Sequence, residues 1–200
     1  MDNLHIIGYL GVFVFAVIGV LKARTKRFDI FGAAVLAFVT AYGGGTIRDL
    51  LIGIKPVNWV NDNLAVFIVL LSTVITFFFK LNNTIIRKLI FWIDAFGIGL
   101  FTIVGIQTAL KADVSQGYSL IMGIITATFG GLISDVLCNK VPNLLKPGEL
   151  YATACIVGGS LYLLMINYHI NTTTSMIVGI LVTVVVRIFS IRRKLQLPRI

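Results

Sequence analysis

The sequence predicts an all-α membrane protein of seven transmembrane helices, built from two inverted three-helix repeats and one further helix. Three observations support this prediction. Hydrophobic residues make up 58% of the chain and charged residues 12%, whereas a typical soluble domain has about 25% charged residues. Apolar runs of about 20 residues, the length that a hydrocarbon core requires, recur along the sequence. A polar, glycine-rich motif also occurs twice, at an offset of 86 positions.

The apolar runs place the helices. The first run, at 4–21, has no basic residue before it and no small-residue cleavage pattern after it, so we expect a retained helix and not a signal peptide. The later runs predict helices at about 30–52, 62–80, 89–109, 118–138, 149–168 and 175–191. Pro56, Asn58 and Trp59 predict a short turn between the second and third helices, with Trp59 at the membrane interface.

The repeated motif defines the domain organisation. Residues 40–51 align without a gap with residues 126–137, and at the same offset Pro56 aligns with Pro142. The alignment predicts one repeat over 1–86, a second over 87–172, and a seventh helix with a basic tail over 173–200. Because each repeat has three helices, an odd number, the two repeats are expected to be inverted about an axis in the membrane plane.

Basic residues predict the orientation. If the amino terminus is outside, most of the lysines and arginines fall on the cytoplasmic side, as the positive-inside rule requires. These residues are Lys22, Arg24, Lys26, Arg27, Lys80, Arg87, Lys88, Lys140, Lys146, Arg192, Arg193 and Lys194. The carboxyl terminus is then cytoplasmic, and the net charge of +9 reflects topology and not nucleic-acid binding.

Glycines mark the second and fifth helices as unusual. Gly43, Gly44 and Gly45 are contiguous, as are Gly130 and Gly131, and runs of glycine destabilise a helix. We therefore predict that both helices are broken, by a kink or by unwinding, at these residues. Close helix packing through small residues is the alternative.

Charged and hydroxyl side chains next to these glycines are the candidate pore or gate residues. Charges inside a membrane are costly and usually face a bundle interior or a water-filled path. The candidates are Arg48, Asp49, Ser134 and Asp135, with Thr40, Thr126 and Asp94 as possible pore-lining residues. The alternative is that each aspartate is a local cap or ion-pair partner: Asp49 pairs with Arg48, Asp94 stabilises a nearby helix start, and Asp135 finds Lys140 or the first basic loop.

Enzymatic function is not expected. The two aspartates do not match the motif of an intramembrane aspartyl protease, because Gly-Leu-Ile-Ser and not Gly-x-Gly precedes Asp135. The sequence contains no His-Glu-x-x-His motif and no Ser/His pairing for catalysis. Cys138 and Cys155 form no disulfide framework or metal-spaced cluster, so we expect no cofactor.

Three motifs resemble those of one known family. Gly-Gly-Gly-x-x-Arg-Asp at 43–49, Asp-Ala-Phe-Gly at 94–97 and Gly-Gly-x-x-x-Asp at 130–135 are similar to motifs of the prokaryotic trimeric intracellular cation (TRIC) channels, also labelled glycine transporters. The resemblance covers nearly the whole chain. It implies a homotrimer with one pore in each subunit, lined by the first, second, fourth and fifth helices, that passes K⁺ and Na⁺. This chain departs from the pattern at Ser134, where a basic residue would mirror Arg48, and at Phe129, which replaces a glycine and is a candidate gate.

The sequence therefore predicts a passive K⁺ and Na⁺ channel of the inner membrane, in contact with lipid and trimeric by resemblance. A secondary transporter of glycine or another small metabolite remains open, because paired broken helices suit transporters equally well. A structural or assembly protein is disfavoured, because it leaves the intramembrane charges unexplained.

Overall fold

The computed structural model describes residues 3–78, 83–146, 150–193 and 195. Lys80 and Lys194, two of the predicted topology charges, lie outside these residues. The described part of the chain contains seven α-helices and no strand. They are α1 (Asn3–Thr25), α2 (Ile30–Leu51), α3 (Asn63–Phe78), α4 (Asn83–Lys111), α5 (Gln116–Leu137), α6 (Tyr151–Asn167) and α7 (Thr172–Arg192), with 3₁₀ turns at Asn58–Asn61 and Asn143–Leu145.

The all-α membrane fold is confirmed. Five helices, α1, α2, α4, α5 and α7, are long and apolar enough to cross a membrane. The two others are apolar but shorter, with 16 residues in α3 and 17 in α6. At about 1.5 Å per residue these two are about 24–26 Å long, slightly less than the hydrocarbon thickness of about 30 Å.

Four helices form the centre of the bundle. α1 packs on α2 and α4, and α5 packs on both α2 and α4. α3 covers α1 and α2, whereas α6 lies against α5 and α7, and α7 lies against α4. Phe15 of α1 stacks on Phe101 of α4 at the centre, with 4.9 Å between ring centroids and 15° between ring planes.

Local geometry recurs at the offset of 86 residues. α2 and α5 begin and end at matching positions, and the residues with positive φ after α1 and α4, Arg27 and Asp113, have φ of 57° each. Contacts also recur in reverse: a Cβ at Gly11 would overlap the ring of Phe101, and a Cβ at Gly97 would overlap the ring of Phe15. Reciprocal contacts are what a two-fold relation produces. They support the division into repeats at 86 and 172, which we retain as a proposal.

The predicted helix breaks are wrong in one respect. α2 and α5 are continuous helices through Gly43–Gly45 and through Gly130–Gly131, so the backbone is not unwound there. The glycines instead allow a close crossing of the two helices. A Cβ at Gly44 would overlap the carbonyl oxygen of Thr126, and a Cβ at Gly130 would overlap that of Thr40. Close packing, the alternative interpretation, explains these two glycines.

Two further positions differ from the sequence prediction because helices are longer than their apolar runs. α1 continues to Thr25, so Lys22 lies on the helix and is only 6% exposed, although it begins the predicted basic loop. α4 begins at Asn83, so Asp94 lies three turns inside the helix and is too far from its start to stabilise it.

Candidate functional site

A cavity of about 740 Å³ opens at one end of the bundle. Its walls come from the amino-terminal part of α1, the carboxyl halves of α2 and α4, and the segment that joins α2 to α3. α5 contributes Thr126. Of the predicted site residues, the cavity brings together Gly45, Arg48, Asp49 and Thr126.

Arg48 and Asp49 form a buried ion pair in the cavity wall, with exposures of 5% and 1%. The Nε and Nη2 atoms of Arg48 donate to Oδ1 of Asp49 over 2.9 and 2.7 Å. Asn58 adds two donors to the same carboxylate, its backbone N–H at 2.9 Å and its side-chain amide at 3.2 Å. Asp49 therefore pairs locally, as the alternative interpretation predicts, and it also fixes the loop that follows α2.

Asp135 holds the matching loop at the opposite end of the bundle. Its Oδ2 accepts from the backbone N–H of Asn143 over 3.1 Å. Its backbone oxygen accepts from the N–H of Lys140 over 2.9 Å, as the backbone oxygen of Asp49 accepts from Ile54 over 2.9 Å. The two aspartates therefore anchor the same type of turn after α5 and after α2.

The counter-charge of Asp135 is Lys22 of α1. The Nζ of Lys22 lies 2.7 Å from Oδ1 of Asp135 and donates to the hydroxyl of Ser134 over 2.7 Å. It also reaches the carbonyl oxygen of Gly131 over 3.4 Å. Lys22 belongs to the first basic loop, one of the two partners that the sequence left open. Lys140, the other, donates to Thr25 over 3.2 Å.

The threonines at the helix crossing direct their hydroxyl protons into their own helices. Thr40 donates to the carbonyl oxygen of Leu36 over 2.5 Å, and Thr126 donates to that of Met122 over 2.6 Å. Their oxygens keep acceptor capacity. Thr126 lines the cavity, whereas Thr40 is buried and does not.

Asp94 belongs to a separate buried cluster between α4, α6 and α7. Tyr151 donates to Oδ1 of Asp94 over 2.6 Å, and Nη2 of Arg187 lies 3.9 Å from Oδ2. The guanidinium carbon of Arg187 is 4.5 Å from the centroid of the Tyr151 ring. Asp94 therefore does not line the cavity. The sequence analysis missed Arg187, although a basic residue inside the seventh apolar run was the available signal.

Phe129 is half-buried on α5 and lies outside the cavity lining, so its role as a gate remains a prediction. Sequence reasoning missed the polar residues that join the cavity from α1 and from the start of α3, Tyr9 and Asp62. Trp59, which the sequence predicts at the membrane interface, donates its indole N–H to the hydroxyl of Thr46 over 3.0 Å.

The comparisons with known proteins agree with the resemblance. The sequence model of the family described as "Glycine transporter" matches residues 5–80 and 91–167. The "UPF0126 membrane protein" of Vibrio cholerae is 38% identical over 199 residues, which cover 98% of this chain and 82% of that protein. The "UPF0126 inner membrane protein YadS" of Escherichia coli K12 is 37% identical over 194 residues, 94% of this chain and 92% of that protein.

A solved structure extends the similarity to three dimensions. The TRIC trimeric intracellular cation channel orthologue from Rhodobacter sphaeroides superposes with a TM-score of 0.92 at 32% identity, and the match covers 98% of this chain and 100% of that one. The likeness to TRIC channels predicted from the glycine and aspartate motifs is confirmed.

Proposed function

The chain belongs to the glycine transporter family, and from this membership and the geometry of the cavity we propose that it is a passive channel for monovalent cations, K⁺ and Na⁺. The likeness to solved TRIC cation channels over nearly the full length supports this proposal. The chain is a multi-pass membrane protein, and we place it in the inner membrane with its amino terminus outside.

The cavity is the observation that carries the proposal. It lies between α1, α2 and α4, and its wall holds the carboxylates of Asp49 and Asp62, the guanidinium of Arg48 and several hydroxyls. Intramembrane charges of this kind mark ion pathways. We propose that the path continues beyond Thr126 and is closed there by the crossing of α2 with α5 and by the Lys22–Asp135 pair, so that conduction requires these two contacts to open.

We propose that the predicted residues act along this path in two groups. Gly45, Arg48, Asp49 and Thr126 line the cavity. Gly130, Gly131, Ser134 and Asp135 form the closed segment with Lys22. The TRIC channel from Rhodobacter sphaeroides is described as trimeric, and we propose the same homotrimer here, with one pore in each subunit and lipid around it.

The test is a planar-bilayer recording of the purified protein under a KCl gradient. We expect discrete openings that reverse near the K⁺ equilibrium potential. Asp49→Asn leaves the Arg48 charge unopposed in the cavity wall, so cation conductance falls by about fivefold. Asp113→Asn is the matched control, because Asp113 is exposed in a loop and asparagine also tolerates its positive φ of 57°.

A transporter of glycine or another small metabolite is the second candidate, because the matching family is described as glycine transporters. The cavity, open at one end and closed at the other, suits an alternating-access site as well as a closed pore. Absence of unitary currents, together with saturable, exchange-coupled uptake of glycine into liposomes, would contradict the channel and support the transporter.

Phe129 offers a further test of the path. If its ring narrows the pore beside Gly130, Phe129→Gly raises the single-channel conductance. An unchanged conductance in this variant would show that Phe129 is not part of the gate. The crossing of α2 with α5 and the Lys22–Asp135 pair would then remain as the proposed gate.

A further inference from the structure

Asp62 lies in the cavity wall, between the 3₁₀ turn at Asn58–Asn61 and α3. Its Oδ1 accepts from the backbone N–H of Ala65 over 3.0 Å, so it caps the amino terminus of α3. The hydroxyl of Tyr9 donates to the same oxygen over 3.4 Å. Capping explains why an aspartate is acceptable here, but asparagine or serine caps a helix equally well.

The charge of Asp62 is not matched by a neighbouring base. Of the described carboxylates that line the cavity, Asp49 is paired with Arg48, whereas Asp62 has no basic side chain within 4.0 Å. The other basic lining residues are His5 and the exposed Lys111. Because Arg48 is neutralised by Asp49, Asp62 provides negative charge in the cavity that remains available to a mobile cation.

Tyr42 provides the second, independent observation. It lines the same cavity and is 6% exposed, and its buried hydroxyl has no hydrogen-bond partner among the described residues. The backbone N–H of Asp62 donates to the carbonyl oxygen of Trp59 over 3.2 Å, and Trp59 packs on Tyr42. The rings of Phe38 and Trp59 hold the tyrosine in place, with centroids at 4.9 and 5.8 Å. An unpartnered buried hydroxyl is costly unless a ligand or water satisfies it.

We propose that the Asp62 carboxylate and the hydroxyls of Tyr9 and Tyr42 form a recruitment site for a monovalent alkali cation in the cavity. This inference rests on the proposed function and gives the channel a first binding step. Oxygen atoms are the ligands that alkali and alkaline-earth cations prefer, and the two hydroxyl oxygens can accept a cation while the carboxylate balances its charge.

The composition of the site favours a monovalent over a divalent cation. Ca²⁺ and Mg²⁺ sites usually combine several carboxylates and carbonyl oxygens, whereas this site has one carboxylate. No cluster of three or more His, Cys, Asp or Glu side chains is found in the described part of the chain. A site with one charge and two neutral oxygens binds weakly, and weak binding is what conduction requires, because the ion must also leave.

Conductance as a function of KCl concentration tests the site in the full-length protein. Asp62→Asn keeps the cap of α3 and removes the charge, and Tyr42→Phe removes the hydroxyl and keeps the ring. In about 10 mM KCl, where the Debye length is about 30 Å, we expect conductance to fall by about fivefold in Asp62→Asn. In about 1 M KCl, where screening acts within about 3 Å and the site is saturated, conductance returns to that of the wild type.

The matched control is Asp29→Asn. Asp29 also caps a helix, since it accepts from the N–H of Gly32 over 2.7 Å at the start of α2, but it is exposed and does not line the cavity. We expect wild-type conductance from this variant at every KCl concentration. Equal conductance of wild type, Asp62→Asn and Tyr42→Phe throughout the range, or an equal loss in Asp29→Asn, would overturn the site.

A binding measurement separates the site from the channel. Tl⁺, a K⁺ surrogate that quenches indole fluorescence, is titrated as the nitrate into a Trp92→Phe background, in which Trp59 is the remaining tryptophan. We expect saturable quenching, with a half-saturation concentration about fivefold higher in Asp62→Asn and about threefold higher in Tyr42→Phe. Linear quenching that is unchanged in both variants contradicts the site. Saturable quenching in a protein that passes no current would support the cation site and contradict the channel function.

Discussion

Asp49 beside the cavity and Asp135 at the opposite end of the bundle match at the offset of 86 residues, but their counter-charges come from different places. Arg48 is the neighbour of Asp49 on α2, so the first pair lies within one helix. Position 134, which matches Arg48, is a serine, and the charge is supplied by Lys22 of α1. The second pair therefore joins two helices.

The two pairs share one structural role but differ in whether they join separate helices. Both carboxylates bind the loop that follows their helix, through the N–H of Asn58 and the N–H of Asn143, so loop anchoring is the role they share. A pair within one helix stays formed when helices move relative to each other. A pair between α1 and α5 breaks if these helices separate, which is why we propose that the Lys22–Asp135 end is the one that opens.

The largest expected effect is at the pair between helices. Lys22→Met leaves Asp135 buried without a counter-charge and lowers the free energy of unfolding by about 3–5 kcal/mol. Reversible unfolding in mixed micelles measures this change. Lys140→Met is the control, because Lys140 is exposed and bonds to Thr25; its effect is below about 0.5 kcal/mol. Equal losses in the two variants would mean that Lys22 is not the counter-charge.

The pair within α2 is expected to be less sensitive. Arg48→Ser introduces the residue found at the matching position 134. It lowers the free energy of unfolding by only about 2 kcal/mol, because Asn58 still donates twice to Asp49. Thr108 on α4 matches Lys22 and lines the cavity with Arg48 and Asp49. Adding Thr108→Lys therefore recovers about 1 kcal/mol in a double-mutant cycle. A purely additive cycle would show that a lysine at position 108 does not pair with Asp49 as Lys22 pairs with Asp135.

The close helix crossing comes next. Gly44→Ala and Gly130→Ala each place a methyl group against a backbone carbonyl, of Thr126 and Thr40, and neither carbonyl can move without shifting its helix. We expect each substitution to lower the free energy of unfolding by about 1–3 kcal/mol. The same unfolding measurement applies. Wild-type stability of both variants would contradict the packing interpretation and would favour a kink at these glycines.

How much the sequence predicts depends on whether a property is local. The fold class, the 86-residue offset and the Arg48–Asp49 pair follow from composition, spacing and adjacency. For the partner of Asp135 the sequence leaves Lys140 and the first basic loop open, and the structure selects Lys22, the first residue of that loop, on a helix that continues through it. The cavity residues Tyr9 and Asp62 are 53 positions apart, and the sequence provides no pattern that joins them.

The smallest expected effect is at the two glycines that follow the crossing glycines in sequence. Gly45 and Gly131 follow the two crossing glycines, but a Cβ there would meet only Arg48 Nη2 at 3.7 Å or the Tyr151 hydroxyl at 3.6 Å, both ordinary contacts. Because alanine favours a continuous helix, Gly45→Ala and Gly131→Ala are expected to raise the free energy of unfolding by up to about 1 kcal/mol. Stability and conductance are measured on the same preparations as for Gly44→Ala. Loss of conductance without loss of stability in Gly45→Ala would mean that the open channel bends α2 at this residue. Glycine permits such a bend, and alanine disfavours it.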